Sequence, residues 1–159
     1  MIIENSQVKA SHLQLKRYFV TQLNIIANPA FDVAKGVVQK QSDLNVSGEM
    51  SLNDDPVLFQ IRLNIKIQPG AESNLPYAIV IEIVGIFKSG FTGPKEDIER
   101  VVFINGSSML YGTAREIVRA STAFGAYSQT LLPSIIFWDP EKLKAPAAES
   151  SPPTPTPNQ

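Results

Sequence analysis

Apolar and polar residues alternate along much of the first half of the chain. The alternation is clearest over residues 57–68, where every second position is apolar: Val57, Phe59, Ile61, Leu63, Ile65 and Ile67. Residues 44–52 alternate in the same way, from Leu44 to Leu52. A period of two predicts strands with one buried face. Residues 13–27, rich in β-formers, and residues 77–88 predict two further strands.

The run over residues 77–88 is apolar at nearly every position. Its odd-numbered side chains are expected to line the core: Tyr77, Ile79, Ile81, Ile83 and Phe87. Its second apolar set falls on the opposite face: Ala78, Val80, Val84 and Ile86. An antiparallel sheet with one face in water needs only one apolar set. Two interpretations stay open, a central strand covered by its own chain or a strand covered by another subunit.

The period becomes helical after Gly93. Pro94 suits a first helical position, and the acidic residues that follow favour a helix start. The sequence NGSS at residues 105–108 predicts a break or kink, with Ser107 capping a renewed helix. Apolar and small residues then recur at helical spacing: Leu110, Ala114, Ile117, Val118 and Ser121. Gly125 is the expected stop. Strands followed by helices predict an α+β fold with an antiparallel sheet.

Both ends of the chain differ from its middle. Residues 1–12 are weakly patterned and predict a flexible arm, and residues 145–159 are proline-rich and predict a disordered tail. The domain is expected to span residues 13–144, with an extended apolar run from Leu131 and a short helix beginning at Asp139. The beginning of the chain has no signal-peptide pattern and the longest apolar stretch is interrupted by Glu82, so a cytoplasmic protein without membrane insertion is expected.

The composition argues against several kinds of functional site. The chain has no cysteine and a single histidine, His12, so neither a metal site nor a thiol or histidine-based catalytic centre is expected. The net charge is −1 and the basic residues are scattered, which argues against nucleic acid as a partner. No phosphate-binding glycine motif is present, and no cofactor is expected. The sequence therefore does not predict an enzyme.

Three acidic residues have structural interpretations. Asp54 and Asp55 lie in a turn, where aspartate side chains bind the backbone. Glu82 lies in an otherwise apolar strand and has two interpretations. A cross-strand salt bridge to Arg62 or Lys66 is the favoured one, and a buried acid with a raised pKa is the other.

The second half of the chain carries the residues of a family resemblance. An Ala114-Arg115-Glu116 step on the long helix is followed by a glycine, an aromatic residue and a Leu/Pro segment, namely Gly125, Tyr127, Leu131, Leu132, Pro133 and Phe137. Upstream, Gly85-Ile86-Phe87 resembles the end of the fourth strand of the same family. Over residues 13–140 the chain resembles the SecB export chaperones.

The resemblance implies a four-stranded antiparallel sheet followed by a long helix, assembled as a homotetramer from two dimers. It also implies that nonnative polypeptide clients are held in long apolar grooves without ATP. The implied peptide-binding residues follow the first strand and the long helix: Phe31, Val33, Val37, Tyr127, Leu131, Leu132, Phe137 and Trp138. The expected subunit interface uses the fourth strand and the helix: Val80, Val84, Leu110, Ala114, Ile117 and Val118.

The resemblance also implies partners for the protein. The family presents acidic residues to the translocase ATPase SecA where this sequence has Gln22, Ile26 and Val80. Peptide binding is therefore better supported than docking to SecA. A SecB-like chaperone dedicated to one client, such as an antitoxin, is an alternative. An oligomeric interaction module whose apolar faces are permanently covered is another.

Overall fold

Four strands and one long helix form the protein in the computed structural model, which describes residues 11–138. The strands are β1 (Leu13–Ala27), β2 (Leu44–Leu52), β3 (Leu58–Ile67) and β4 (Tyr77–Ser89), and the helix is α1 (Lys95–Thr122). Two single-turn 3-10 helices, Val33–Lys35 and Gln41–Asp43, lie between β1 and β2. The predicted α+β fold, with a four-stranded sheet followed by a long helix, is confirmed.

The sheet is antiparallel throughout, in the order β1-β4-β3-β2. The central strands β3 and β4 pair in register over ten residues, from Leu58 opposite Lys88 to Ile67 opposite Ile79. β1 pairs with β4 through two register shifts, between Leu15 and Arg17 and between Val20 and Gln22. Since β1 and β2 are the outer strands, each has one edge without a strand partner among residues 11–138.

The core lies between one face of the sheet and helix α1. The alternate side chains of β3 and β4 predicted to be buried are buried there, including Ile61, Ile65 and Ile81, which have no exposed surface. The helix closes this layer with Val102, Leu110, Ala114 and Val118. The period-two pattern of the sequence therefore identified the core face of the sheet correctly.

Helix α1 runs unbroken through residues 105–108, so the predicted break there is wrong. Gly106 lies against Ile61 and Phe87, so closely that a Cβ atom at this position would overlap Ile61. Ser107 is fully buried and its hydroxyl has no hydrogen-bond partner among the described residues, so it does not cap a second helix. The close contact with the sheet outweighs the helix-breaking tendency of this segment.

The residues predicted to form a subunit interface lie in two places. Leu110, Ala114 and Val118 are fully buried against their own sheet, and Ile117 is partly buried beside them. On the other face of β4, Val80 is partly exposed and Val84 is buried within the single chain. The three buried helix residues thus hold α1 on the sheet and leave no side-chain surface for a second chain.

Three of the predictions for the chain ends concern residues outside the described range. They are the arm over residues 1–12, of which residues 1–10 lie outside, the short helix from Asp139 and the tail from residue 145. Inside the range, residues 129–138 have neither helix nor strand.

Candidate functional site

Two irregular segments carry most of the residues predicted to bind a peptide. In the loop after β1, Val33 and Val37 are 72% and 64% exposed. In the segment after α1, Leu131 and Trp138 are 51% and 57% exposed. Exposed aliphatic and aromatic side chains concentrated in two neighbouring segments are typical of an interaction surface.

The other four predicted residues are less accessible. Phe31 and Tyr127 are half-buried against each other, with ring centroids 5.0 Å apart in an edge-on arrangement. Phe137 is half-buried edge-on to Tyr111 at 6.0 Å. Leu132 has no exposed surface and belongs to the core. The structure therefore places Leu132 in the core, out of reach of a bound peptide.

The two segments border a pair of hollows. The larger, of about 600 Å³, separates the segment after α1 from the start of β2, and is lined by Gln39, Lys40, Gln41, Leu44, Val46, Pro133, Ser134, Ile135 and Ile136. The smaller, of about 120 Å³, is lined by Val37, Gln39, Ile67, Leu75, Pro76, Tyr77, Ile79, Gln129, Thr130 and Leu131. Because residue 39 borders both hollows and residues 129–136 run along both, we treat them as one feature. We name the space between residues 37–46 and residues 129–136 the candidate groove.

Side chains of the helix hold one wall of the candidate groove. Thr122 accepts a hydrogen bond from the Thr130 N–H at 2.9 Å, Arg115 Nε donates to the Leu132 carbonyl at 2.9 Å, and the Tyr111 hydroxyl donates to the Pro133 carbonyl at 2.7 Å. These bonds satisfy backbone groups that a segment without secondary structure leaves unpaired. Burial raises the pKa of Tyr111 to about 12, so its hydroxyl stays a donor at physiological pH. The Arg115 guanidinium thus supports this wall.

A charged network lies on the opposite face of the sheet. Arg62 forms ion pairs with Glu49 at 3.1 Å and Glu82 at 2.9 Å, and the Thr21 hydroxyl also donates to Glu82. The hydrogen bond from Thr21, with the positive charge of Arg62 and a hydrogen bond from Asn64, lowers the pKa of the Glu82 carboxyl despite partial desolvation. The cross-strand salt bridge is confirmed, and the alternative of an acid with a raised pKa is wrong.

The remaining candidate groups are structural. Asp55 accepts a hydrogen bond from the Val57 N–H at 3.0 Å, as expected of a turn aspartate. The ring of His12 lies 5.7 Å from that of Phe91. Within residues 11–138, no group of three or more acidic or histidine side chains is placed to hold a metal ion.

Sequence reasoning missed part of the candidate groove. Ile136 is 83% exposed and lines the larger hollow together with the start of β2. The apolar run over residues 131–138 gave no period that separated its buried from its exposed members. That β2 is an edge strand follows only from the strand order, which brings β4 between β1 and β3.

These features define a class of protein. The fold is an α+β domain that leaves an apolar groove beside an edge strand, as in proteins that bind extended peptides. In the described part of the chain, no helix is long and apolar enough to span a membrane.

The chain belongs to the SecB family. The family described as SecB, preprotein translocase subunit SecB, matches residues 6–139. No curated protein matches the chain significantly by sequence.

Solved structures with a similar fold include a SecB-like chaperone of Mycobacterium tuberculosis in complex with a ChAD peptide from the HigA1 antitoxin. It is 16% identical, with a TM-score of 0.56, and the match covers 77% of this chain and 90% of the other. A protein of unknown function from Streptococcus agalactiae is 14% identical with a TM-score of 0.43, and the match covers 79% of this chain and all of the other.

Proposed function

We propose that this protein is a chaperone that binds unfolded or partly folded polypeptides in the candidate groove, without ATP. The observation that carries this proposal is the groove itself, which is lined by exposed aliphatic side chains of two segments, Val37 on one and Leu131 and Ile136 on the other, and borders the edge strand β2. Membership of the SecB family agrees with it. No phosphate-binding motif accompanies the groove in the sequence, which favours binding driven by contact alone.

The groove supplies two kinds of contact to an extended peptide. Aliphatic side chains such as Leu131 and Ile136 offer apolar surface that tolerates many client sequences. The backbone of β2 offers hydrogen-bonding groups along its outer edge, to which a peptide can add as a further strand. Since backbone pairing does not depend on side-chain identity, the combination suits a chaperone with many clients.

Two client classes fit this proposal. Preproteins on their way to the translocase follow from the description of the family, and we propose that the chain holds and delivers them. A single dedicated client is the alternative, because the similar Mycobacterium tuberculosis fold is bound to an antitoxin peptide. Comparing the affinities of the full-length chain for an unfolded preprotein and for an antitoxin-derived peptide distinguishes the two.

The groove is tested by removing its exposed aliphatic side chains. The double variant Leu131→Ala/Ile136→Ala is expected to suppress the aggregation of an unfolded client less well and to bind it at least several-fold more weakly, because each truncation removes apolar contact area. The matched control is Leu52→Ala/Val57→Ala, which truncates two exposed aliphatic side chains at the β2–β3 turn, away from the groove.

Equal loss in both double variants contradicts the location of the groove. A wild-type chain that neither binds an unfolded client nor suppresses its aggregation contradicts the chaperone function itself.

A further inference from the structure

One tyrosine hydroxyl binds both backbone groups of a residue in the segment after α1, two positions before that segment forms a wall of the candidate groove. Tyr77, the first residue of β4, is 3% exposed. Its hydroxyl donates to the carbonyl of Tyr127 at 3.0 Å and accepts from the N–H of Tyr127 at 2.8 Å. A buried phenol hydroxyl has one proton to donate and can also accept, so this pair of bonds uses both capacities on one residue.

Tyr127 in turn binds the loop after β1. Its hydroxyl donates to the carbonyl of Asn28 at 2.9 Å, and its ring meets the edge of Phe31. Asn28 is itself bonded to the residues just before β4, since its N–H donates to the Pro76 carbonyl and its side-chain amide donates to the Leu75 carbonyl, both at 2.8 Å. The loop after β1 and the segment after α1, which continue into the two walls of the candidate groove, are therefore both attached to residues 75–77.

Gly125 permits this close approach. A Cβ atom at residue 125 would overlap the Tyr77 hydroxyl and would lie 2.9 Å from its Cζ atom. Any other residue at this position would push the ring and the segment apart. The contact therefore depends on a tyrosine at 77 and a glycine at 125 together.

Tyr77 also lines the smaller hollow of the candidate groove, together with Val37 and Leu131. We infer that Tyr77 and Tyr127 are positioning residues that fix the separation of the loop after β1 and the segment after α1, whose continuations form the two walls of the candidate groove, and that Tyr127 does not act through contact with the client. This inference rests on the proposed function. When the walls are ordered before the client arrives, binding does not include the entropic cost of ordering them. Binding is therefore tighter than to a groove with a flexible wall.

The test measures the affinity for an unfolded fluorescent client at a temperature where every variant is fully folded. Tyr77→Phe and Tyr127→Phe keep both rings and remove one hydroxyl each, and each is expected to lower the affinity roughly 3- to 10-fold. Amide hydrogen exchange at Tyr127 is expected to accelerate in Tyr77→Phe, because the bond from its N–H is lost. The control, Tyr18→Phe, removes a hydroxyl from a tyrosine that is 48% exposed on β1 and should leave both measurements unchanged.

Gly125→Ala disturbs the same contact through the other residue. It provides an independent test should the Tyr77 variant fail to fold. It is expected to weaken client binding as well, and its effect combined with Tyr77→Phe should be smaller than the product of the separate effects, because both act on one contact. Wild-type affinity in Tyr77→Phe and Tyr127→Phe, with faster exchange at Tyr127, overturns this inference alone and leaves the groove as the binding site. Absence of client binding by the wild-type chain overturns the proposed function and this inference together.

Discussion

Two glycines of helix α1 have opposite surroundings although both lie in the helix interior. Gly106 is buried between Ile61 and Phe87, and a Cβ atom there would lie 3.3 Å from the ring of Phe87 and overlap Ile61. Gly112 is exposed, and a Cβ atom there would have no neighbour within 4 Å. The gain in helix propensity on substitution by alanine is the same at both positions. A difference between the two substitutions in the free energy of unfolding therefore reports the effect of packing.

Gly106→Ala is expected to lower the free energy of unfolding by about 1–2 kcal/mol, because overpacking outweighs the better helix propensity of alanine. Gly112→Ala is expected to raise it by about 1 kcal/mol, since only propensity changes. Urea unfolding followed by circular dichroism measures both. A stabilised Gly106→Ala variant would mean that the helix does not approach the sheet as closely as described.

Glu82 links stability to pH. Its pKa is lowered from the ordinary value of 4.5, first by the hydrogen bond from Thr21 and then by the charge of Arg62. The folded state therefore binds this proton more weakly than the unfolded state, and the carboxylate stabilises the fold fully above the ordinary pKa. This stabilisation is lost as the pH falls below 4.5 through the lowered pKa.

Glu82→Gln is expected to reduce the thermal midpoint at neutral pH and to lose that difference progressively as the pH falls below 4.5 through the lowered pKa of the wild-type carboxyl. Thermal melts of both chains from neutral to acidic pH provide the measurement. A difference that does not shrink as the pH falls below 4.5 would show that the charge of Glu82 is not involved.

At the scale of the elements, the segment after α1 is held chiefly by side chains of the helix. The Thr122 hydroxyl donates to the Val118 carbonyl at 2.9 Å and accepts from the Thr130 N–H at the same distance. Thr113 makes only the first kind of bond, to the Met109 carbonyl, and its hydroxyl is exposed. Substituting each threonine in turn therefore distinguishes the contribution of a hydrogen bond within the helix from that of a hydrogen bond to the segment after α1.

Thr122→Val leaves the Thr130 N–H without its partner and is expected to cost about 1–2 kcal/mol, with faster hydrogen exchange at the Thr130 amide. Thr113→Val should change stability by less than about 0.5 kcal/mol. If the Thr130 amide exchanges at the same rate in both variants, the segment is held by other contacts.

How far the sequence predicts an element depends on whether its cause is local. The strands β2 and β3 could be placed within a residue or two because alternation is a local signal, and the SecB resemblance rested on a short run of residues along α1. The continuity of α1 across Gly106 could not be predicted, because its cause is the contact with Ile61 and Phe87, which come from other elements. The hydrogen bond from the Tyr77 hydroxyl to the Tyr127 carbonyl could not be predicted for the same reason, since 50 positions separate the two residues.

On the scale of the whole molecule, large apolar side chains remain exposed in the single chain. Strand β1 exposes Tyr18, Phe19, Leu23 and Ile26 beside its free edge, and Phe124 at the end of α1 is 94% exposed. These residues lie outside the candidate groove, and exposed apolar side chains of this kind favour association with further chains. The SecB resemblance implies that the assembly is a dimer of dimers.

Sedimentation equilibrium of the full chain at micromolar concentration is expected to give a mass near four times that of one chain. Leu23→Glu should reduce this mass, because it places a charge in the middle of the exposed apolar strand. The comparable substitution Leu52→Glu, on the opposite edge strand, is the control. A wild-type chain that sediments as a monomer contradicts the assembly.

The two register shifts of β1 have a consequence for how such an exposed strand avoids uncontrolled aggregation. β1 has 15 residues where its partner β4 has 13, so the extra residues bulge out of the ladder. Bulges bend a strand and increase its twist, so its outer edge is not the flat template on which identical strands stack without limit. Only a strand with a matching twist can pair along it, which favours a closed assembly of defined size over a growing fibril.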